Sequence, residues 1–292
     1  MFLFACVFLF AACQSAETVN QTNAPTREVA DDLGRKIKIP ERIERVVSLA
    51  PNLTESIFAV GAGEKLVGVT TFCDYPAETE KIQKVGDTLS PNMETIIALK
   101  PQIVFVSTAS QIQTFAKTLE DQNIAVFIQN PQGFEDVLSN LKQLGEILGT
   151  GEKAERLVRE LQNRAAEIEN RVKDKNKIKV FVQISKEPLF TVGQESFLTE
   201  ILERAGGESV TKTVPTAYPK ISKETALALN PEAIILSESP DNLEPNEVFK
   251  NSSAVKNGKV FKINADLLSR PAPRIVDGLE QIAKNLHPEI FK

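Results

Sequence analysis

The chain has 292 residues, 42% hydrophobic and 25% charged, with a net charge of −5. That length accommodates two domains of ordinary size, and the composition is that of a soluble globular body rather than a disordered chain. Lys and Arg are dispersed along the sequence instead of gathered into a basic face, which excludes a nucleic-acid binder.

The first element stands apart from that body. "MFLFACVFLFAACQSAE" carries an apolar run that ends at Cys13, shorter than the ~18 residues of a membrane-spanning helix. It reads as the apolar region of a secretory signal. "FAAC", Phe10 to Cys13, looks like a lipobox, so residues 1–13 are expected to be a lipoprotein signal and Cys13 the lipidated mature N-terminus. No Lys or Arg precedes the apolar run, which points to an upstream start codon. Residues 14–41 are polar and are expected to be a flexible tether between membrane anchor and folded body. Export places the body in an oxidising compartment, where Cys73, its one cysteine, has no internal partner.

From residue 42 strand and helix signals alternate. "RVVSLAP" is a buried strand closed by Pro, and "NLTESIFAVGAG" a helix with Asn52 or Thr54 as cap and Glu55 in its first turn. "KLVGVTT" is a strand, "FCDYPAE" a loop, "PNMETIIALK" a helix capped by Asn92, and "QIVFVS" a strand. "QTFAKTLEDQNI", "AVFIQN" and "FEDVLSNLKQLGEILG" continue as helix, strand and helix. Alternation of this kind predicts a parallel sheet flanked by helices over residues 42–150. Residues 151–176 read as one long charged helix of roughly 24 residues, ~36 Å at 1.5 Å per residue. That exceeds an ordinary connection, and it is expected to be a strut between two lobes. Over 177–292 the alternation resumes with "IKVFVQIS", "ESFLTEILERAGG", "SKETALALN" capped by Ser222, "EAIILSE", "GKVFKIN" and the terminal helix "RIVDGLEQIAKNLHP". Each half is expected to have its own α/β core.

Two features recur in both halves. "METIIALKP" returns as "KETALALNP", placing Glu94 and Glu224 at the second helical position after Asn92 and Ser222. A carboxylate there complements the helix dipole. Two exposed carboxylates at equivalent points also offer a two-pronged contact for basic pockets on a partner. The only tyrosines, Tyr75 and Tyr218, both precede Pro and so belong in extended loops, where open α/β sheets bind ligands. In "INADLLSRPAPRIVDG", read as a loop, Asp266, Arg270 and Arg274 offer polar groups near a sheet end, although either arginine could equally pair with a carboxylate of the fold. One His, His287, and no nucleophile–base pair argue against a metal site or an enzyme.

The blocks "RVVSLAPNLTESIFAVGAGEKLVGVTTFCDYP", "METIIALKPQIV", "LFTVGQESFLTEILERAGGES", "YPKISKETALALNPEAII" and "APRIVDGLEQIAKNL" resemble the helical-backbone (class III) substrate-binding proteins of ABC importers, most closely the cobalamin-binding members. The resemblance implies two Rossmann-like α/β lobes joined by one long helix, with the ligand cleft between them. It implies a monomer that carries a corrinoid as transported ligand, has no cofactor of its own, and delivers to a permease dimer with its ATPase. By the same likeness Glu94 and Glu224 would dock on the permease. Tyr75, Phe190 and Asp266 would face the corrinoid, and Tyr218 stands where those members have Trp. The chain has no Trp and is small and polar at Thr88, Ser107 and Thr108. Ferric siderophores and haem, bound by related members, therefore remain alternatives, as does a lipid-anchored ligand sensor.

Overall fold

The computed structural model describes residues 25–107 and 112–291. Cys13 and the signal segment lie outside the described residues. Two strands come first, β1 (Thr26–Ala30) and β2 (Lys36–Pro40), and they pair antiparallel around the turn Asp31–Gly34. This corrects the tether expected over 14–41: from Thr26 onward the segment is ordered structure. The reason is burial. Ile39 is fully buried in the core and Val29 and Ile37 pack against it, so the alternation in "KIKIP" is that of a half-buried strand. Asp32 and Arg35 tie the hairpin to the sheet through backbone oxygens of Ile128 and Val126.

The N-terminal lobe continues with β3 (Val46–Ser48), α1 (Pro51–Ala59), β4 (Leu66–Val69), α2 (Met93–Ala98), β5 (Ile103–Ser107), α3 (Ile112–Glu120), β6 (Ala125–Gln129) and α4 (Phe134–Leu148). Its sheet is parallel, in the order β4-β3-β5-β6. The hairpin lies beside edge strand β6 and covers it. Helix α1 starts ahead of both predicted caps, Asn52 and Thr54. Pro51 occupies its first turn and Ala50 is the cap, with no side-chain bond, because proline's fixed φ suits that position. Asn92 caps α2 as its sequence predicted, accepting from the Thr95 amide at 2.9 Å.

The strut is α5 (Gly151–Val172), ending before the predicted 176 because Lys173–Asn176 offers no apolar side chain to bury. Its buried residues Ala154, Val158, Leu161, Ala165, Ile168 and Val172 alternate three- and four-residue steps, one stripe of a helix. That stripe packs on α4 and on the terminal helix. Where α4 and α5 cross, a side chain at Gly145 would meet Ala154 Cβ at 2.3 Å. Only glycine permits the approach.

The second lobe comprises β7 (Ile178–Gln183), α6 (Phe197–Arg204), β8 (Gly207–Ser209), α7 (Lys223–Leu229), β9 (Ala233–Glu238), α8 (Ser253–Lys256), β10 (Val260–Asn264), α9 (Ala265–Ser269) and α10 (Ile275–Leu286). Its parallel sheet runs β10-β9-β7-β8. The segment read as a loop before α10 thus contains α9, capped by Asn264 through the Asp266 amide at 2.8 Å. The cores also differ from expectation. The outer faces have separate clusters, around Val104 and Ile128 in one lobe and around Phe181 and Phe249 in the other. The inner faces share one: Ile57, Leu141, Leu161, Val180 and Leu279 belong to a single apolar cluster running through the strut. Each such fully buried side chain contributes about 1.5–3 kcal/mol, so the lobes are joined by packing as well as by covalent chain.

Candidate functional site

Between the lobes lies a cavity of about 800 Å³ at the carboxyl ends of both sheets, where open α/β sheets receive ligands. Ala50, Pro51 and Asn52 reach it from the end of β3, Ser107 from β5, and Asn130 and Gln132 from the loop after β6. Opposite stand Ile184 after β7, Ser237 of β9, and Asp266 and Arg270 from α9 and its exit. Phe197 and Tyr218 supply the aromatic surface. Asn130 is also held from behind: its amide donates to Asp32 Oδ2 at 2.6 Å, so the hairpin supports the wall.

The charged part of the wall forms a cluster that crosses the lobes. Glu55 of α1 is almost wholly buried, with 2% of its side chain exposed. It accepts from Arg270 Nη1 at 2.8 Å, from Arg274 Nε at 2.8 Å and from Arg274 Nη2 at 2.6 Å. Arg270 Nη1 also donates to Asp74 Oδ1 at 2.7 Å, and Nη2 lies 2.8 Å from Asp266 Oδ1. Arg274 lies over the Tyr75 ring, 3.9 Å from its centroid, a favourable cation–π placement. Burial works against the Arg270 charge, but its bonds to Asp74 and Glu55 outweigh that, and its pKa rises. Arg274 is raised chiefly by its bond to Glu55. The Arg270 guanidinium holds the Asp74 carboxyl below the usual range, whereas burial pushes Asp266 up despite Arg270. Burial likewise pushes the Tyr218 phenol up, partly offset by a bond with Ser196.

Of the residues singled out from sequence, Tyr218, Asp266 and Arg270 line the cavity. Tyr75 stands beside it, half exposed under Arg274, without lining it. Phe190 is not part of the wall; its backbone bridges Ser185 and Lys220, and the phenylalanine that lines the cavity is Phe197. Arg270 and Arg274 both take the structural alternative, pairing with carboxylates, while Arg270 also faces the cavity. Glu94 and Glu224 are exposed at the second position of α2 and α7. There the Glu224 carboxyl is lowered by its own backbone amide and by Ser222. Sequence reasoning missed the part played by Glu55 and Asp74. The only local signals were an acid within a predicted helix and one preceding Tyr75-Pro76.

Residues 46–267 match the model of the periplasmic binding protein family. An ABC transporter substrate-binding lipoprotein of Bacillus subtilis, YvrC, is 31% identical over 90% of this chain and 86% of its own. The crystal structure of the periplasmic vitamin B12 binding protein BtuF of Vibrio cholerae superimposes with a TM-score of 0.74 at 26% identity. It covers 85% of this chain and 98% of that one. A periplasmic heme binding protein from Pseudomonas aeruginosa superimposes with a TM-score of 0.76, also at 26% identity, over 85% of this chain and 94% of its own. Backbone likeness therefore fixes the fold and leaves the ligand to the side chains.

Proposed function

Because the chain belongs to the periplasmic binding protein family, we propose that it is the substrate-binding lipoprotein of an ABC importer and captures a corrinoid between its lobes. It makes and breaks no bonds. The observation that carries the choice of ligand is the charge of the wall. Among the described residues lining the cavity the one cation is Arg270, and its charge is already paired with Glu55, Asp74 and Asp266 through Nη1 and Nη2. Glu195 adds a further acid. Such a wall offers no free cation to the two propionates of haem or to an anionic ferric catecholate. It does suit a ligand without net negative charge that presents many carboxamides, which Asn52, Asn130, Gln132 and the serines can bond while Phe197 and Tyr218 cover apolar ring surface.

Delivery follows from the two glutamates. Glu94 and Glu224 present equivalent exposed carboxylates on the two lobes, and basic pockets of a permease dimer, coupled to its ATPase, receive them. Cys13 carries the lipid that keeps the exported protein at the membrane. Calorimetric titration with cyanocobalamin, haem and a ferric siderophore tests the ligand. Cyanocobalamin is expected to bind at micromolar concentration or below, and absence of binding by any corrinoid at that level would overturn the reading. Charge reversal at both glutamates, Glu94→Lys with Glu224→Lys, is expected to leave corrinoid affinity intact while uptake falls. Replacing Cys13→Ala should release the protein from the membrane fraction.

A further inference from the structure

We propose that Glu55, which does not itself line the cavity, is the residue that sets the charge selectivity of the cleft. The inference rests on the binding-protein reading above and extends it to a mechanism of ligand discrimination. Glu55 comes from α1 in the N-terminal lobe and occupies both Arg270 and Arg274 of the other lobe, with its side chain 2% exposed. With Asp74 and Asp266 it surrounds two guanidiniums with three carboxylates, so the cluster as a whole carries a net negative charge. An arginine at the wall of a cavity is ordinarily an anion receptor, since its planar fork matches carboxylate and phosphate oxygens. Here the fork is filled by the protein. Among the three carboxylates Glu55 is the deepest, whereas Asp74 has 63% of its side chain exposed and is screened by solvent. Glu55 is also the one that holds both arginines. Its charge therefore governs whether Arg270 and Arg274 can turn to an anionic ligand, and it acts through Arg270 as a positioning and specificity residue.

The test compares ligand pairs that differ in charge and hardly in shape: cyanocobalamin with its monocarboxylate hydrolysis product, and the dimethyl ester of haem with haem itself. Affinity ratios within each pair are measured by titration on the full chain, at low salt, for wild type and for Glu55→Gln and Glu55→Asp. The wild type is expected to prefer the neutral member of whichever pair it binds. Glu55→Gln, which preserves shape and one acceptor oxygen but removes the charge and turns the other acceptor into a donor, is expected to shift that ratio toward the anion by about tenfold, the order expected of one charge at short range in a partly desolvated site. Glu55→Asp retains the charge and is expected to retain the wild-type preference. A purely structural role would weaken both members of a pair alike and leave the ratio unchanged, and that result would overturn the proposal. Should Glu55→Gln fail to fold, Asp74→Asn alters the same cluster from an exposed position and is expected to shift the ratio in the same direction by less. Binding of haem with no binding of corrinoid would remove the corrinoid reading while leaving this one to be decided by the haem pair. Binding of neither pair would overturn both.

Discussion

At the cavity, one carboxylate of the N-terminal lobe gathers two arginines of the C-terminal lobe. Beside α4 the arrangement is reversed, with Arg204 of α6 meeting Glu135 of α4, Glu169 of the strut and Glu200 of its own helix. Both arrangements cross the lobes, and in both an arginine lies over an aromatic ring of the N-terminal lobe. Arg274 is 3.9 Å from the Tyr75 centroid and Arg204 is 4.7 Å from that of Phe134. The second arrangement has an additional function in the fold. Helix α4 has no side-chain cap of its own, because its N-cap is Gly133, and Glu200 accepts from the Phe134 amide at 3.1 Å. A residue of one lobe thus caps a helix of the other. The two differ in what burial makes of a charge. Glu55 has surrendered its hydration and depends on its partners, whereas Glu135 and Glu169 remain wetted and Arg204 can exchange one carboxylate for another.

The largest effect should follow from Glu55→Ala. It strands the Arg274 guanidinium in a partly desolvated site and leaves Arg270 only Asp74 and Asp266, and breaking a buried pair by removing one partner costs about 3–5 kcal/mol. Urea denaturation of the two proteins measures it. Arg204→Ala should cost less, about 1.5–3 kcal/mol, the range for hydrogen bonds to charged groups, because its acids can rehydrate and Glu200 keeps the Phe134 amide. One molar salt should shrink the Arg204 effect more than the Glu55 effect, and equal shrinkage would erase the distinction between them. The clusters share no residue, so the double variant tests independence. Additive losses are expected, and a loss smaller than the sum would mean that both act through one lobe-to-lobe equilibrium.

That contrast also marks what could be seen in the sequence. Strands β5, β7 and β9 announce themselves as β-branched runs, and the caps Asn92 and Ser222 as polar residues just ahead of helical periodicity, because these signals are local. The long helix α5 was legible for the same reason. The Glu55–Arg270 bond joins positions 215 residues apart, and no spacing rule reaches across a fold. The hairpin was missed because a two-residue alternation in "KIKIP" is brief and its polar neighbours dominate composition. Phe190 and Phe197 both belong to the stretch after β7. Which ring enters the cavity depends on the path of that stretch, set by backbone bridges from Phe190 to Ser185 and Lys220, and not on the identity of either residue.

The smallest predicted effect concerns the rim of the cavity cluster. The Arg270 guanidinium holds the Asp74 carboxyl below its ordinary range, so folding is favoured by the ionised form relative to an unfolded aspartate near pKa 3.9. A depressed folded-state pKa contributes stability that is fully present above the unfolded value and lost as pH falls through the folded one. Wild type should therefore lose thermal stability between about pH 4 and the depressed value more steeply than Asp74→Asn, and the two curves should run parallel from pH 6 to 8. The exposure of Asp74 keeps the difference small, since solvent screens the pair. Melting curves recorded across that range decide it. Curves that stay parallel below pH 4 would mean that Arg270 is held by Glu55 and Asp266 alone, and that the cluster's charge balance is set without its exposed member.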